Sequence, residues 1–171
     1  TSLLRNHYDF YIPDFSSQIE YETEVVIKIS KICKAVSRQF ASRYYDEITV
    51  GLDITARDIQ QNCRQKGLPW LLSKGFDSSA PLGDFVSKAD LPPLASLDFA
   101  LKINGKLAQI GNTRDMIFGF DEIVSSISQH ITLKQGDLIY TGTPAGVGPL
   151  NIGDYLEAEL DGRKLLEIKV K

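Results

Sequence analysis

Two runs that read as β-strand carry three carboxylates between them. Tyr21-Glu22-Thr23-Glu24-Val25-Val26-Ile27 holds Glu22 and Glu24, and Val50-Gly51-Leu52-Asp53-Ile54-Thr55-Ala56-Arg57-Asp58 holds Asp53. Residues two apart on a strand point to one face, about 7 Å apart along the backbone. Carboxylates so placed repel one another and resist burial unless positive charge neutralises them. The fold must leave them in water or gather them around a cation. The first solution is the wet face of an edge strand, common in antiparallel sheets. The second is an all-oxygen site for a hard divalent ion, Mg²⁺ before Mn²⁺ or Ca²⁺. Asp53 favours the second. It lies among Val50, Leu52 and Ile54, and the polar run Thr55, Arg57, Asp58, Gln60, Gln61 follows at once. An abrupt change of polarity at a strand end marks a site.

The 171 residues suffice for one domain with a sizeable core, and a single domain over 1–171 is expected. A net charge of −3 with no basic stripe argues against nucleic acid as a partner. No apolar run reaches the roughly eighteen residues of a membrane span, and Thr1 opens no basic-then-apolar leader. Cys33 and Cys63 are too few for a disulfide framework and have no partner at zinc-ligand spacing. They read as structural thiols in a reducing, cytoplasmic setting.

Periodicity predicts mostly strand. Residues 20–30 form one strand whose second face is Tyr21, Thr23, Val25, Ile27 and Ile29. Residues 35–45 read as a short helix, Glu47 to Thr55 as strand, and Arg57 to Lys66 as a helix stopped by Gly67. Residues 1–18 read as loop and short extended pieces, and the stretch through Pro92-Pro93 as irregular. Leu97 to Ile103 alternates, and Asn104-Gly105 joins it to Lys106–Ile110 as a type I′ hairpin. Asp121 caps a helix through about His130. Asp137 to Thr141 is a buried-type strand, and 154–160 with 163–170 close a hairpin at Asp161-Gly162. Many strands with short helices and long connections predict an α+β chain, mostly β, with a rolled sheet.

Three further segments carry chemistry. Lys74 lies between the apolar turn Pro69-Trp70-Leu71-Leu72 and Gly75-Phe76. Such a half-buried lysine is either a surface cation or one held beside an anionic substrate or developing enolate. Thr141-Gly142-Thr143-Pro144-Ala145-Gly146-Val147-Gly148 follows a strand but lacks the lysine of a phosphate loop, and Pro144 removes a donor. Its glycines let backbone approach a small ligand while a threonine hydroxyl donates to it. His7 and His130 allow no Ser-His-Asp or Cys-His pairing.

Taken together, the segments resemble the fumarylacetoacetate hydrolase family, in particular its small acylpyruvate-hydrolase-like members. The marks are the Glu22/Glu24 and Asp53 runs, Gly67-Leu68-Pro69-Trp70 with Ser73-Lys74-Gly75-Phe76, Asn104-Gly105, Met116-Ile117-Phe118, Gly136-Asp137-Leu138-Ile139 and Thr141 to Gly148. The resemblance implies a mixed β-sandwich roll, usually a homodimer. It implies Mg²⁺ or Mn²⁺ held by Glu22, Glu24 and Asp53. It places Lys74, Arg57, Gln60 and Thr143 at the chemistry, and Asp58, Gly142 and Phe76 against a small 2-oxo acid. Family members cleave 3-acylpyruvates, decarboxylate oxaloacetate, or isomerise dienoates of the 2-hydroxyhepta-2,4-diene-1,7-dioate type. A non-catalytic metal-binding dimerisation module is the third reading. The family's hydrolases also carry a His and a Glu three residues apart on a lid before the first strand. Here His7 is followed at the third position by Phe10, so the lid is expected to precede Thr1.

Overall fold

A computed structural model describes residues 2–171; expectations for Thr1 and anything before it lie outside the described residues. The local turn signals fold as their chemistry dictates. Asn104 and Gly105 take φ of 52° and 76°, and Asp161 and Gly162 take 48° and 74°, so both hairpin turns use the positive φ that Asn, Asp and Gly tolerate. In chain order the strands are β1 (Leu3–Arg5), β2 (Ile19–Tyr21), β3 (Thr23–Ile29), β4 (Tyr45–Leu52), β5 (Thr55–Ala56), β6 (Ala80–Leu82), β7 (Val86–Ser87), β8 (Asp98–Ile103), β9 (Lys106–Asn112), β10 (Leu138–Tyr140), β11 (Gly148–Pro149), β12 (Tyr155–Leu160) and β13 (Arg163–Lys169). The helices are α1 (Arg38–Ala41), α2 (Arg57–Lys66), α3 (Leu71–Lys74) and α4 (Phe120–His130).

Three sheets result. The first runs β1-β6-β4-β3-β10 with β7 also on β4, the second is β11-β2-β5, and the third is β13-β12-β8-β9. Apart from the parallel pair β1/β6, the pairings are antiparallel. The sheets close on one apolar cluster that includes Phe10, Ile27, Ile48, Leu52, Leu101, Leu156 and Leu166, each essentially fully buried. The mostly-β, rolled architecture with short helices is as expected. Among the described residues no helix is long and apolar enough to cross a membrane.

The structure corrects several boundaries. Residues 20–30 are two strands, not one. β2 and β3 part at Glu22, and β4 and β5 part at Asp53-Ile54. Both chains change sheet at the same level, and the Asp53 N–H donates to the Glu22 carbonyl at 2.8 Å across the two bends. Residues 35–45 give only the single turn α1 and a 3₁₀ turn at Ser42–Tyr44, because Ala35 takes φ 51° and Tyr45 already pairs with Ile29 in β4. Asp121 does not cap α4: the helix starts at Phe120 with Gly119 at the cap position, and Asp121 instead accepts from the Tyr45 hydroxyl at 2.8 Å. Residues 1–18 contain β1, the irregular stretch contains β6 and β7, and α3 was not anticipated. Arg57–Lys66 is the expected helix, ended by Gly67 at φ 65°.

Gly51 faces Glu24 in the β3/β4 register. A Cβ there would stand 2.7 Å from Tyr140 Cε1 and 2.9 Å from the Pro81 carbonyl oxygen. The Tyr140 ring thus occupies the space a side chain would need, and its hydroxyl donates to that same carbonyl at 3.1 Å. Gly51→Ala is expected to destabilise the fold by about 1–3 kcal/mol through this overpacking. Urea unfolding checks it; an unchanged midpoint would show that Tyr140 can move aside at no cost.

Candidate metal and substrate site

The paired bends build the site. Glu22 sits in the break between β2 and β3, Glu24 one position into β3, and Asp53 just past the end of β4. Each offers one carboxylate oxygen, and the three oxygens lie within 4.8 Å of one another. Glu24 is only 5 % exposed and β3 is buried on both faces, which removes the wet-edge alternative. The donor set is hard oxygen throughout and suits a divalent cation of the Mg²⁺, Mn²⁺ or Ca²⁺ type.

Two basic side chains meet the cluster. Lys74 Nζ donates to Glu22 Oε2 at 2.9 Å, Asp53 Oδ2 at 2.6 Å and Thr55 Oγ1 at 2.6 Å. Arg57 reaches Glu22 Oε1 through one nitrogen of its fork at 2.6 Å, Glu20 through Nε at 2.7 Å, and the Gln60 carbonyl through the third at 2.6 Å. Four carboxylates (Glu20, Glu22, Glu24, Asp53) therefore share two cations, leaving a deficit of two positive charges when all are ionised. One divalent ion would balance it. Lys74 is placed by α3, whose last turn is anchored from both sides. Ser73 Oγ donates to the Trp70 carbonyl at 2.7 Å, and the buried Ser79 hydroxyl donates to the Lys74 carbonyl at 2.6 Å.

Electrostatics separate the carboxyls. Burial pushes Glu24 up to about 7, assisted by the charges of Asp53 and Glu22 and opposed by the Gly142 amide, which donates to its Oε2 at 2.7 Å. Burial also raises Asp53, against the opposing pull of Lys74. Burial would raise Glu22 too, yet Lys74 and Arg57 together hold it below the usual carboxylate range. Tyr140 is pushed above the ordinary phenol range by burial and by the nearby Glu24 and Asp53.

The remaining anticipated residues divide. Gly142 and Thr143 line a cavity of about 590 Å³ together with Phe99, Met116, Phe118 and Pro144. Gly142 meets the cluster directly, through its amide on Glu24. The Asp58 oxygens accept from the Ser16 hydroxyl (2.6 Å) and the Ser17 amide and hydroxyl (2.9 and 3.0 Å), so it anchors the segment leading into β2. Phe76 packs edge-on against Phe15 with centroids 5.4 Å apart. Gln60 meets the site only through Arg57. Neither histidine is at the cluster: His7 lies 3.1 Å from Glu167, and His130 lies 3.1 Å from the Ser126 carbonyl. The sequence reading missed Glu20, Thr55, Gln109 and Tyr140. Thr55 left a trace as the first residue of the polar run after Asp53, and Glu20 as a third acid in the alternation with Glu22 and Glu24.

A curled, mostly-β fold brings three carboxylates together at paired sheet-changing bends, with the α3 lysine against two of them, in a cluster that could hold a divalent cation and that touches the neighbouring cavity through Gly142. The chain belongs to the fumarylacetoacetate hydrolase family: the family model for the fumarylacetoacetate hydrolase C-terminal region matches residues 1–171. It is 41% identical over 160 residues to the oxaloacetate tautomerase FAHD1, mitochondrial, of Bos taurus, covering 94% of this chain and 72% of that protein. Its structure superimposes with a TM-score of 0.94 on fumarylpyruvate hydrolase from Pseudomonas aeruginosa in complex with Mn²⁺ and pyruvate, at 29% identity and covering 99% of this chain and 74% of that one. The TM-score with 2-hydroxyhepta-2,4-diene-1,7-dioate isomerase from Mycobacterium marinum is 0.89, at 34% identity, covering 99% of this chain and 65% of that one. These relatives are a tautomerase, a hydrolase and an isomerase.

The raised Glu24 yields a prediction with a definite sign. Between the usual carboxylate range and about 7, the folded, metal-free protein holds a proton that the unfolded chain has released. Its stability should therefore fall as pH rises through that window and level off above it. A divalent cation needs the carboxylate, so its binding at about pH 6 should expel close to one proton, and at about pH 8 almost none. Titration calorimetry in buffers of different ionisation enthalpy reads this directly. Identical heats in all buffers at the lower pH would remove Glu24 from the ligand set.

Proposed function

We propose that the chain is a Mg²⁺-dependent enzyme that enolises small 2-oxo diacids, with oxaloacetate the first candidate substrate. The observation that carries this reading is the Lys74 ammonium held within hydrogen-bond distance of two of the three clustered carboxylates. A bound divalent cation would supply Lewis acidity and a template for the two oxygens of a 2-oxo acid. Lys74 contributes a fixed positive charge where an enolate oxygen develops, after exchanging one of its three hydrogen bonds for the substrate. Arg57 keeps Glu22 turned into the cluster, and each of its three nitrogens already donates to a neighbour, so it orients rather than transfers protons. The cavity beside Gly142 and Thr143 receives the remainder of the substrate.

Enolisation asks least of these side chains. The C3–H bond breaks, its electron pair forms the C2=C3 double bond, and a proton arrives at the C2 oxygen, so keto and enol forms interconvert with no carbon–carbon bond broken. Decarboxylation of oxaloacetate uses the same electron sink: the C3–C4 pair flows toward C2 and carbon dioxide leaves. Cleavage of a 3-acylpyruvate needs an activated water in addition, and the described residues bring no imidazole to the cluster. The likeness to a fumarylpyruvate hydrolase with bound pyruvate still favours acylpyruvate cleavage as the second reading. Exposed Leu107, Ile110, Ile117 and Phe118 support the expected homodimer. Light scattering that returns the 19.0 kDa of one chain would refute it.

Purified protein with Mg²⁺ should interconvert the keto and enol forms of oxaloacetate, followed by ultraviolet absorbance, and lose this with chelator. Products of unchanged mass mean tautomerase, loss of carbon dioxide means decarboxylase, and two acids from an acylpyruvate mean hydrolase. Inactivity on all three substrate types would defeat the proposal. Lys74→Met should lower kcat by about 10²–10³, the scale of a single oxyanion donor. An unchanged kcat would take Lys74 out of the chemistry.

A further inference from the structure

Gln109 on β9 is a carboxamide only 2 % exposed, with its oxygen and both N–H groups engaged. Its Oε1 accepts from the Thr23 backbone N–H at 2.9 Å, and its Nε2 donates to Thr143 Oγ1 at 3.0 Å and to the Pro144 carbonyl at 3.1 Å. The partners fix which way the amide sits. A backbone N–H can only donate and a carbonyl can only accept, so a flipped Gln109 would lose both. Two consequences follow. Thr23 stands between Glu22 and Glu24 at the bend, so one side chain joins the segment bearing the carboxylates to the loop bearing Gly142 and Thr143. The Thr143 oxygen is occupied as an acceptor, and its proton has no partner among the described residues, while the side chain lines the cavity.

We infer that Gln109 is a positioning residue that makes the Thr143 hydroxyl an obligatory donor to an anionic oxygen of the 2-oxo acid. This rests on the function proposed above. A merely structural glutamine would hold the loop whatever the direction of the Thr143 proton. Here the direction is the point. Gln109→Glu keeps the shape and the acceptor for Thr23, but a carboxylate cannot donate to Thr143 and turns its proton inward instead.

The test measures binding of oxalate, a mimic of the two chelating oxygens, to the Mg²⁺-loaded protein by calorimetry. Gln109→Glu and Thr143→Val are each expected to weaken oxalate by about ten- to a hundredfold, the range for a hydrogen bond to a charged group. The double variant should be no weaker than either alone, and Thr143→Ser should bind as wild type. Wild-type affinity in Gln109→Glu, or single effects that multiply in the double variant, overturns the inference. Should Gln109→Glu fail to fold, the side-chain amide signals of ¹⁵N-labelled Gln109 carry the test. Thr143→Val must shift them and Thr143→Ser must not; signals indifferent to Thr143→Val overturn it. Wild-type protein that neither binds oxalate nor acts on any 2-oxo acid defeats this inference together with the functional reading. Wild-type binding with an indifferent Gln109→Glu defeats this inference alone.

Discussion

The hydrogen bond from the Asp53 amide to the Glu22 carbonyl ties two strands at the level where both leave one sheet for another. A continuous antiparallel pair would keep its side chains on fixed faces of a single sheet. Two bends at the same level release Glu22 and Asp53 from that alternation, while Glu24 remains inside β3. The three carboxylates converge because the backbone turns, and the turn holds because its polar groups find partners. The Asp53 N–H meets Glu22, and the Thr23 N–H meets Gln109. An unsatisfied amide at either place would cost about 1–3 kcal/mol in so buried a setting.

What was legible in the sequence was local. Asn104-Gly105 and Asp161-Gly162 declare their hairpins because only a few residues tolerate positive φ there, and Gly67 ends α2 for the same reason. The acids at 22, 24 and 53 were visible as charges in strands that otherwise read as buried. What was not legible depended on distant partners. The alternation Tyr21-Thr23-Val25 runs through the break at Glu22 without a mark, since the bend is imposed by β5 and β11 pairing with β2. The pairing of β1 with β6 has no local signal at all. Asp121 looked like a cap, but the Tyr45 hydroxyl, far away in sequence, claims it.

Gln109 shows why a polar residue inside a strand is easily passed over. In Leu107-Ala108-Gln109-Ile110 the glutamine is buried while Leu107 and Ile110 are exposed, at 59 % and 66 %. Polarity alone assigns those faces the other way round. The inversion makes sense only when the partners of the carboxamide are known, and none of the three is near it in sequence. Asp58 is the opposite case. Its place beside Arg57 is plain in the sequence, whereas its hydrogen bonds to Ser16 and Ser17, some forty residues earlier, are not.

Lys74 sits between Glu22 and Asp53 as a resident counter-ion. In many small metal-binding domains the ion is the keystone, and the polypeptide collapses once it is withdrawn. Here the polypeptide brings a substitute of its own, and a separate apolar cluster secures the architecture. Loading and unloading of a cation at this cluster would then be a matter of side-chain exchange within a standing scaffold, uncoupled from unfolding.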